Sequence, residues 1–196
     1  MENNFGPEVG LNAPAYIHPS ALIFGKVTLD RGSSMWPYSV IRAEAFEVKI
    51  GEYTNIQDFV MIRIGDRQGT RIGSYCSVGH RCTVIGASIE SNCLIGTGAI
   101  VPEGCVVGEY SIVMPGTVLV EGTVIPPNSV VAGSPGKALI RRNNRAVIRY
   151  CAEMYYRNAC AYAEGNYRLL ARDDFAGFAQ KEMERLEKEF AVIANN

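Results

Sequence analysis

Ile89-Glu90-Ser91-Asn92-Cys93-Leu94-Ile95-Gly96-Thr97-Gly98-Ala99-Ile100-Val101-Pro102-Glu103-Gly104-Cys105-Val106-Val107 counts in sixes. An aliphatic residue falls at 89, 95, 101 and 107, and the count runs on through Val113, Leu119, Ile125 and Val131. Upstream the same interval links Ile17, Ile23, Leu29, Met35 and Ile41, then Ile50, Ile56 and Ile62, then Ile72, Val78 and Val84. A period of six matches neither a 3.6-residue helix nor one uninterrupted strand. Short strands broken by a corner at a fixed interval produce it.

Four residues after each aliphatic comes a mostly small residue, among them Ala21, Ser33, Thr54, Cys76, Cys82, Cys93, Ala99, Cys105, Ser111 and Thr117. That position lies two before the next aliphatic, so both side chains point to the same side of a strand. Turn formers such as Gly25, Asp30, Gly32, Gly73 and Gly108 stand between them. The pattern predicts an all-β parallel β-helix with three short faces per coil over residues 17–137. It predicts about six coils, a prism on the order of 30 Å tall at roughly 4.8 Å per coil. Residues 1–16, rich in Gly, Pro and Asn, read as an irregular lead-in.

The count breaks at three places, and breaks in a solenoid project loops where function concentrates. Arg42 to Glu47 is inserted before Ile50, a longer loop runs from Arg63 to Arg71, and one residue is missing between Val84 and Ile89. After Val131, Ala132 to Lys137 turns the chain out of the prism, and residues 138–196 read as a helical tail. There Val147, Cys151, Met154, Tyr155, Asn158 and Tyr162 share a stripe. A second helix is expected from Asp173 or Asp174, with Phe175, Phe178, Ala179, Met183, Leu186 and Phe190 as its apolar face. Five tyrosines crowd between Tyr150 and Tyr167, as suits a helix packed half-exposed on the prism wall.

With 47% hydrophobic and 20% charged residues and a net charge of −1, the composition is that of an ordinary soluble protein. No basic cluster exceeds Arg141-Arg142 with Arg145, so neither nucleic acid nor membrane is expected as a partner. The start MENNFGPEVG lacks a basic and an apolar export region, which makes the cytoplasm the expected compartment. Cys76, Cys82, Cys93 and Cys105 occupy the small interior slot and read as buried apolar residues; Cys151 and Cys160 lie nine apart, off a common helical face. His18 sits at an outward corner and reads as a capping residue.

Two segments carry a family resemblance. One runs from Ser34-Met35-Trp36-Pro37 through Arg42-Ala43-Glu44 and Ile50-Gly51 to Thr54-Asn55-Ile56-Gln57-Asp58; the other is Ile72-Gly73 followed by Val78-Gly79-His80. With the exit Ala132-Gly133-Ser134-Pro135 and the helical tail, they resemble the γ-class carbonic anhydrases. The resemblance implies a left-handed coil and a homotrimer with sites between neighbouring prisms. It also implies a zinc held by three histidines, two from one subunit and one from the next. At those three positions this chain carries Arg63, His80 and Ile85, and it has only one other histidine. A catalytic zinc needs three lone-pair donors and an open position; guanidinium stays protonated and Ile85 has no donor atom. No zinc, no other cofactor and no zinc-type CO2 hydration are therefore expected.

Arg63 puts a fixed positive charge where the cation would sit, beside His80 and Ile85, a cradle for a small carboxylate, bicarbonate or phosphate. The alternative is that Arg63 pairs with an acidic neighbour, Asp66 or a glutamate across the subunit interface. Asn55 and Gln57 match pocket-lining residues of the family, while Arg42, Glu44 and Asp58 match residues that join subunits. Two functions are expected from this set. One is a trimer that binds a small anion or metabolite, or serves as a scaffold. The other is an acyltransferase using a CoA thioester, with His80 as general base and no metal. Residual metal binding by His80 fits poorly, because Cys82 points inward.

Overall fold

The computed structural model describes residues 5–141, 145–171 and 175–193 of the 196. Each hexad aliphatic pairs in parallel register with the aliphatic one coil later. On the first face Ile23, Ile41, Ile62, Val84 and Val101 stack in this way. The second face stacks Leu29, Ile50, Ile72, Ile89, Val107 and Ile125. The third runs from Ile17 through Met35, Ile56, Val78, Ile95 and Val113 to Val131. From Ile23 onward none of these side chains is more than 3% exposed. Each such burial contributes about 1.5–3 kcal/mol before the entropy of ordering the chain is subtracted. The family resemblance and the three-faced parallel coil together describe a left-handed β-helix of hexapeptide repeats.

The prism is taller than the count from Ile17 suggests. Seven parallel strands stack on the third face, and the antiparallel strand Gly136–Arg141 closes it against Ser129–Gly133. From residue 5 the lead-in joins the coil as well: Val9–Leu11 pairs with Val27–Leu29, and Phe5 bridges Ile23. Phe5 and Leu11 continue the count of six backwards, hidden among Gly, Pro and Asn. The tail likewise opens on a strand, since the hydrogen bonds left open by the last coil are met by the returning chain.

The insertion after Ile41 is part of the strand Val40–Ile50, which turns a corner of the prism without breaking. It pairs with Leu22–Leu29 on both sides of the corner, and the register shifts between Gly25 and Val27. Glu44 to Glu47 bulge outward there and are exposed. Gly25 has φ +83°, and a Cβ on it would collide with the Ala43 carbonyl. Only glycine allows that approach.

Helix α1 (Arg145–Ala163) lies across the outer wall of the third face. Its buried residues are Ile148, Ala152, Met154, Ala159 and Ala161, with Cys151, Tyr155 and Tyr162 of the expected stripe half-buried, while Val147 is exposed. The contact surface is wider than the expected stripe and turned slightly from it, because Ala152 and Ala159 let the helix sit close while the tyrosines reach past them. Trp36 meets Tyr155 at 5.5 Å and Tyr162 at 5.0 Å, both edge-on. Helix α2 (Phe175–Ile193) packs on α1 through buried Leu186 and Phe190, with Arg185 to Glu153 at 2.7 Å. Asp173 and Asp174 lie outside the described residues.

Candidate functional site

Arg42, Arg63 and Ile85 occupy successive rungs of the first face, Arg63 opposite Arg42 on one side and Ile85 on the other. Ile41, Ile62 and Val84 point inward, so the next residue in each strand points out. Arg42 is neutralised within the chain: its Nε and Nη2 donate to Glu44 Oε1 at 2.9 and 2.6 Å. That hydrogen bond, chiefly, holds the Glu44 carboxyl below the usual carboxylate range, and the Arg63 charge adds to it. The Arg63 guanidinium forms no ion pair among the described residues, and its Nε is buried without a hydrogen-bond partner. Of the alternative partners, Asp66 does not pair with it within the chain.

Asp58 and His80 form a second group at the corner that precedes the first face. Asp58 Oδ2 lies 3.0 Å from His80 Nδ1, one rung apart. The rungs are held by Arg81 N donating to the Asp58 carbonyl at 3.0 Å and Gly98 N to the His80 carbonyl at 2.8 Å. An ionised carboxylate only accepts, so Nδ1 carries the proton and Nε2 keeps its lone pair. Within a single chain the two halves of the expected cradle stand apart. Asp58 and His80 stand before the strands Met61–Arg63 and Thr83–Ile85, whereas Arg63 and Ile85 end them. One chain therefore holds Arg63 and His80 at opposite ends of a face, not side by side.

Asn55 and Gln57 are buried within the single chain. They are 1% and 6% exposed beneath α1. Asn55 Nδ2 donates to Ser77 Oγ at 2.8 Å, and Gln57 Nε2 to Asn55 Oδ1 at 3.0 Å. Buried amides so satisfied fix the wall rather than offer donors to a ligand. The sequence reading missed Tyr155 as a neighbour of the corner group. Burial first, and then the Asp58 charge, push its hydroxyl up to about 12. Only its helical spacing hinted that it faces the prism.

The loop after Arg63 is clamped from below by Glu103. Its carboxylate accepts from Asp66 N at 3.1 Å and Arg67 N at 2.8 Å, and it pairs with Arg67 Nε at 3.5 Å. Those backbone donors hold the Glu103 carboxyl below its ordinary value. Arg67 also pairs with Glu121. At the loop base, Thr70 Oγ1 donates to the Arg63 carbonyl. The cysteines are structural, as expected: Cys82 donates to the Gly96 carbonyl at 3.0 Å, and burial raises its thiol to about 11. His18 is held to Ser20, Nδ1 to Oγ, at 2.7 Å. A half-open cavity of about 550 Å³ between α1 and α2, lined by Met154, Arg157, Phe175 and Phe178, contains none of the expected site residues.

Residues 86–121 match the family model for the bacterial transferase hexapeptide, six repeats. The chain is 39% identical to γ carbonic anhydrase 3, mitochondrial, of Arabidopsis thaliana, over 94% of this chain and 75% of that one. The chain belongs to the γ-class carbonic anhydrase family. A probable carbonic anhydrase of Methanocaldococcus jannaschii is 40% identical, over 42% of this chain and about half (52%) of that protein. Among solved structures, a hexapeptide transferase family protein from Anaplasma phagocytophilum superposes with a TM-score of 0.75 at 28% identity, covering 79% of this chain and 92% of that one. No helix among the described residues is long and apolar enough to cross a membrane. Because the Arabidopsis relative is mitochondrial, membership of the γ class does not by itself fix the compartment.

Proposed function

We propose that this γ-class chain is a homotrimer that no longer works through zinc and binds a small anion between its subunits. The observation that carries this reading is Arg63: a guanidinium with a buried, unpartnered Nε and no ion pair among the described residues, at a position where the family resemblance implies a zinc ligand. The donor set does not fit the metal. Arg63 and Ile85, on adjacent rungs, bring no lone pair between them, and His80 Nδ1 is engaged by Asp58. One imidazole nitrogen cannot hold a catalytic zinc. A scaffold role, with the same frame and no ligand, is the limiting case of this reading.

The trimer is supported by the three outer faces. The third lies under α1, and the second carries ion pairs such as Lys49 to Asp30. The first leaves Phe24, Met61 and Ile100 exposed on a flat sheet, the kind of apolar surface that another copy covers. A neighbouring copy would bring its His80 corner toward Arg63, as the family arrangement implies. Light scattering should give three times the 21.4 kDa chain mass, and a monomer would end the composite-site reading. Metal analysis should show well below one zinc or iron per chain. Bicarbonate or acetate should raise the melting temperature of the wild type but not of Arg63→Ala; equal protection of both removes Arg63 from the account.

The Asp58–His80 pair favours a second reading, an acyltransferase that needs no metal. Asp58 orients the ring so that Nε2 could take a proton from an acceptor hydroxyl or amine attacking a CoA thioester. Stabilisation by acetyl-CoA that disappears in His80→Ala would select this reading, and no stabilisation of the wild type discards it.

A further inference from the structure

We infer that the anion suited to Arg63 is a monocarboxylate with a short alkyl tail, in preference to bicarbonate or phosphate. The inference rests on the Arg63 reading above and adds the class of ligand. Charge comes first. Of the two guanidiniums on adjoining rungs, Arg42 is spent on Glu44 at 2.6 and 2.9 Å, so the face offers one uncompensated positive charge. One guanidinium fork matches one carboxylate through two parallel hydrogen bonds. A phosphate dianion brings more charge and more acceptors than this single fork meets, and the nearby Glu44 carboxylate repels the excess.

The surroundings of Arg63 decide the rest. Register and alternation place Met61 two residues back on the same outer surface, Ile85 on the next rung opposite Arg63, and Ile100 one rung beyond Thr83. Met61 is 38% and Ile100 39% exposed, and Ile85 is half-buried. Apart from the Thr83 hydroxyl, the side chains on that side of the guanidinium are apolar. Bicarbonate is polar on every side, so its third oxygen would lose water against Ile85 or Met61 without a new partner. An alkyl group at the same position removes apolar surface from water on both sides.

The test is a binding series at constant ionic strength, by isothermal titration and thermal shift, with acetate, propionate, butyrate, bicarbonate and phosphate. Affinity is expected to rise about three- to fourfold with each added methylene. Bicarbonate and phosphate should bind more weakly than butyrate. Arg63→Ala should abolish binding of the whole series. Ile85→Asn should flatten the dependence on chain length while acetate still binds, and Met61→Gln, at a more exposed position, should do the same if Ile85→Asn does not fold. Bicarbonate or phosphate binding as tightly as butyrate through Arg63, or a flat series in the wild type, overturns the alkyl-carboxylate inference and leaves the anion site standing. No Arg63-dependent binding of any anion overturns both.

Discussion

Asp58 and His80 face each other across neighbouring rungs, carboxylate to Nδ1 at 3.0 Å, at the corner where the third face gives way to the first. The pair is part-exposed, and Tyr155 of α1 stands close enough to feel the Asp58 charge. It is the one place in the described residues where an imidazole is given a fixed orientation by an acid.

The first prediction concerns that orientation. On the neutral ring, nitrogen NMR should find the His80 proton on Nδ1 in the wild type. Asp58→Asn should yield a tautomer mixture. An Nε2-protonated ring in the wild type would contradict the role given to Asp58.

Core packing makes the second. Ile62 is wholly buried between Ile41 and Val84, so Ile62→Ala leaves a cavity that a rigid stack cannot close. Denaturant unfolding should show a loss of about 2–5 kcal/mol. A loss below ~1 kcal/mol would mean that the coils collapse onto the gap.

Two glycines separate backbone strain from collision. Gly98 has φ +70° with open space where a Cβ would go, so Gly98→Ala should cost only the left-handed conformation, roughly 1 kcal/mol. Gly25→Ala adds a clash with the Ala43 backbone and should cost several-fold more or prevent folding. Equal costs, measured by thermal unfolding, would show that the corner at Gly25 yields.

Acid should loosen the loop after Arg63. The Glu103 carboxyl titrates below its unfolded value, so its contribution is fully present above the unfolded pKa and is lost as pH falls through the lower folded one. Trypsin cleavage after Arg67 should be slow at neutral pH and faster by about tenfold in Glu103→Gln, which leaves one neutral acceptor where two charged oxygens stood. Glu121→Gln breaks only the surface pair and should cleave like the wild type. Identical cleavage of Glu103→Gln and wild type would assign the clamp elsewhere.

The coil, its three faces and its inward-pointing cysteines were legible from Ile17 to Val131 because a solenoid repeats one local rule, and every rung states it again. Phe5 and Leu11 obey the same rule but lie where Pro, Gly and Asn mask it. The insertion at Arg42 to Glu47 read as a loop because pairing between Gly25 and Ala43 is a contact between coils, invisible in the order of residues. In α1 the spacing was legible and the rotation was not, since which side of a helix is buried depends on the shape of the wall it meets.

For the site, residue identity alone determined what Arg63, His80 and Ile85 can donate: a guanidinium and an alkyl group have no lone pair in any fold. Tertiary structure decided where they stand. Hydrogen-bond register between coils set Arg63 against Ile85 and Asp58 against His80, parted those two pairs by the width of a face, and buried Asn55 and Gln57 under α1. Donor chemistry is a property of a side chain by itself, whereas neighbourhood is created only when rungs distant in sequence come into register.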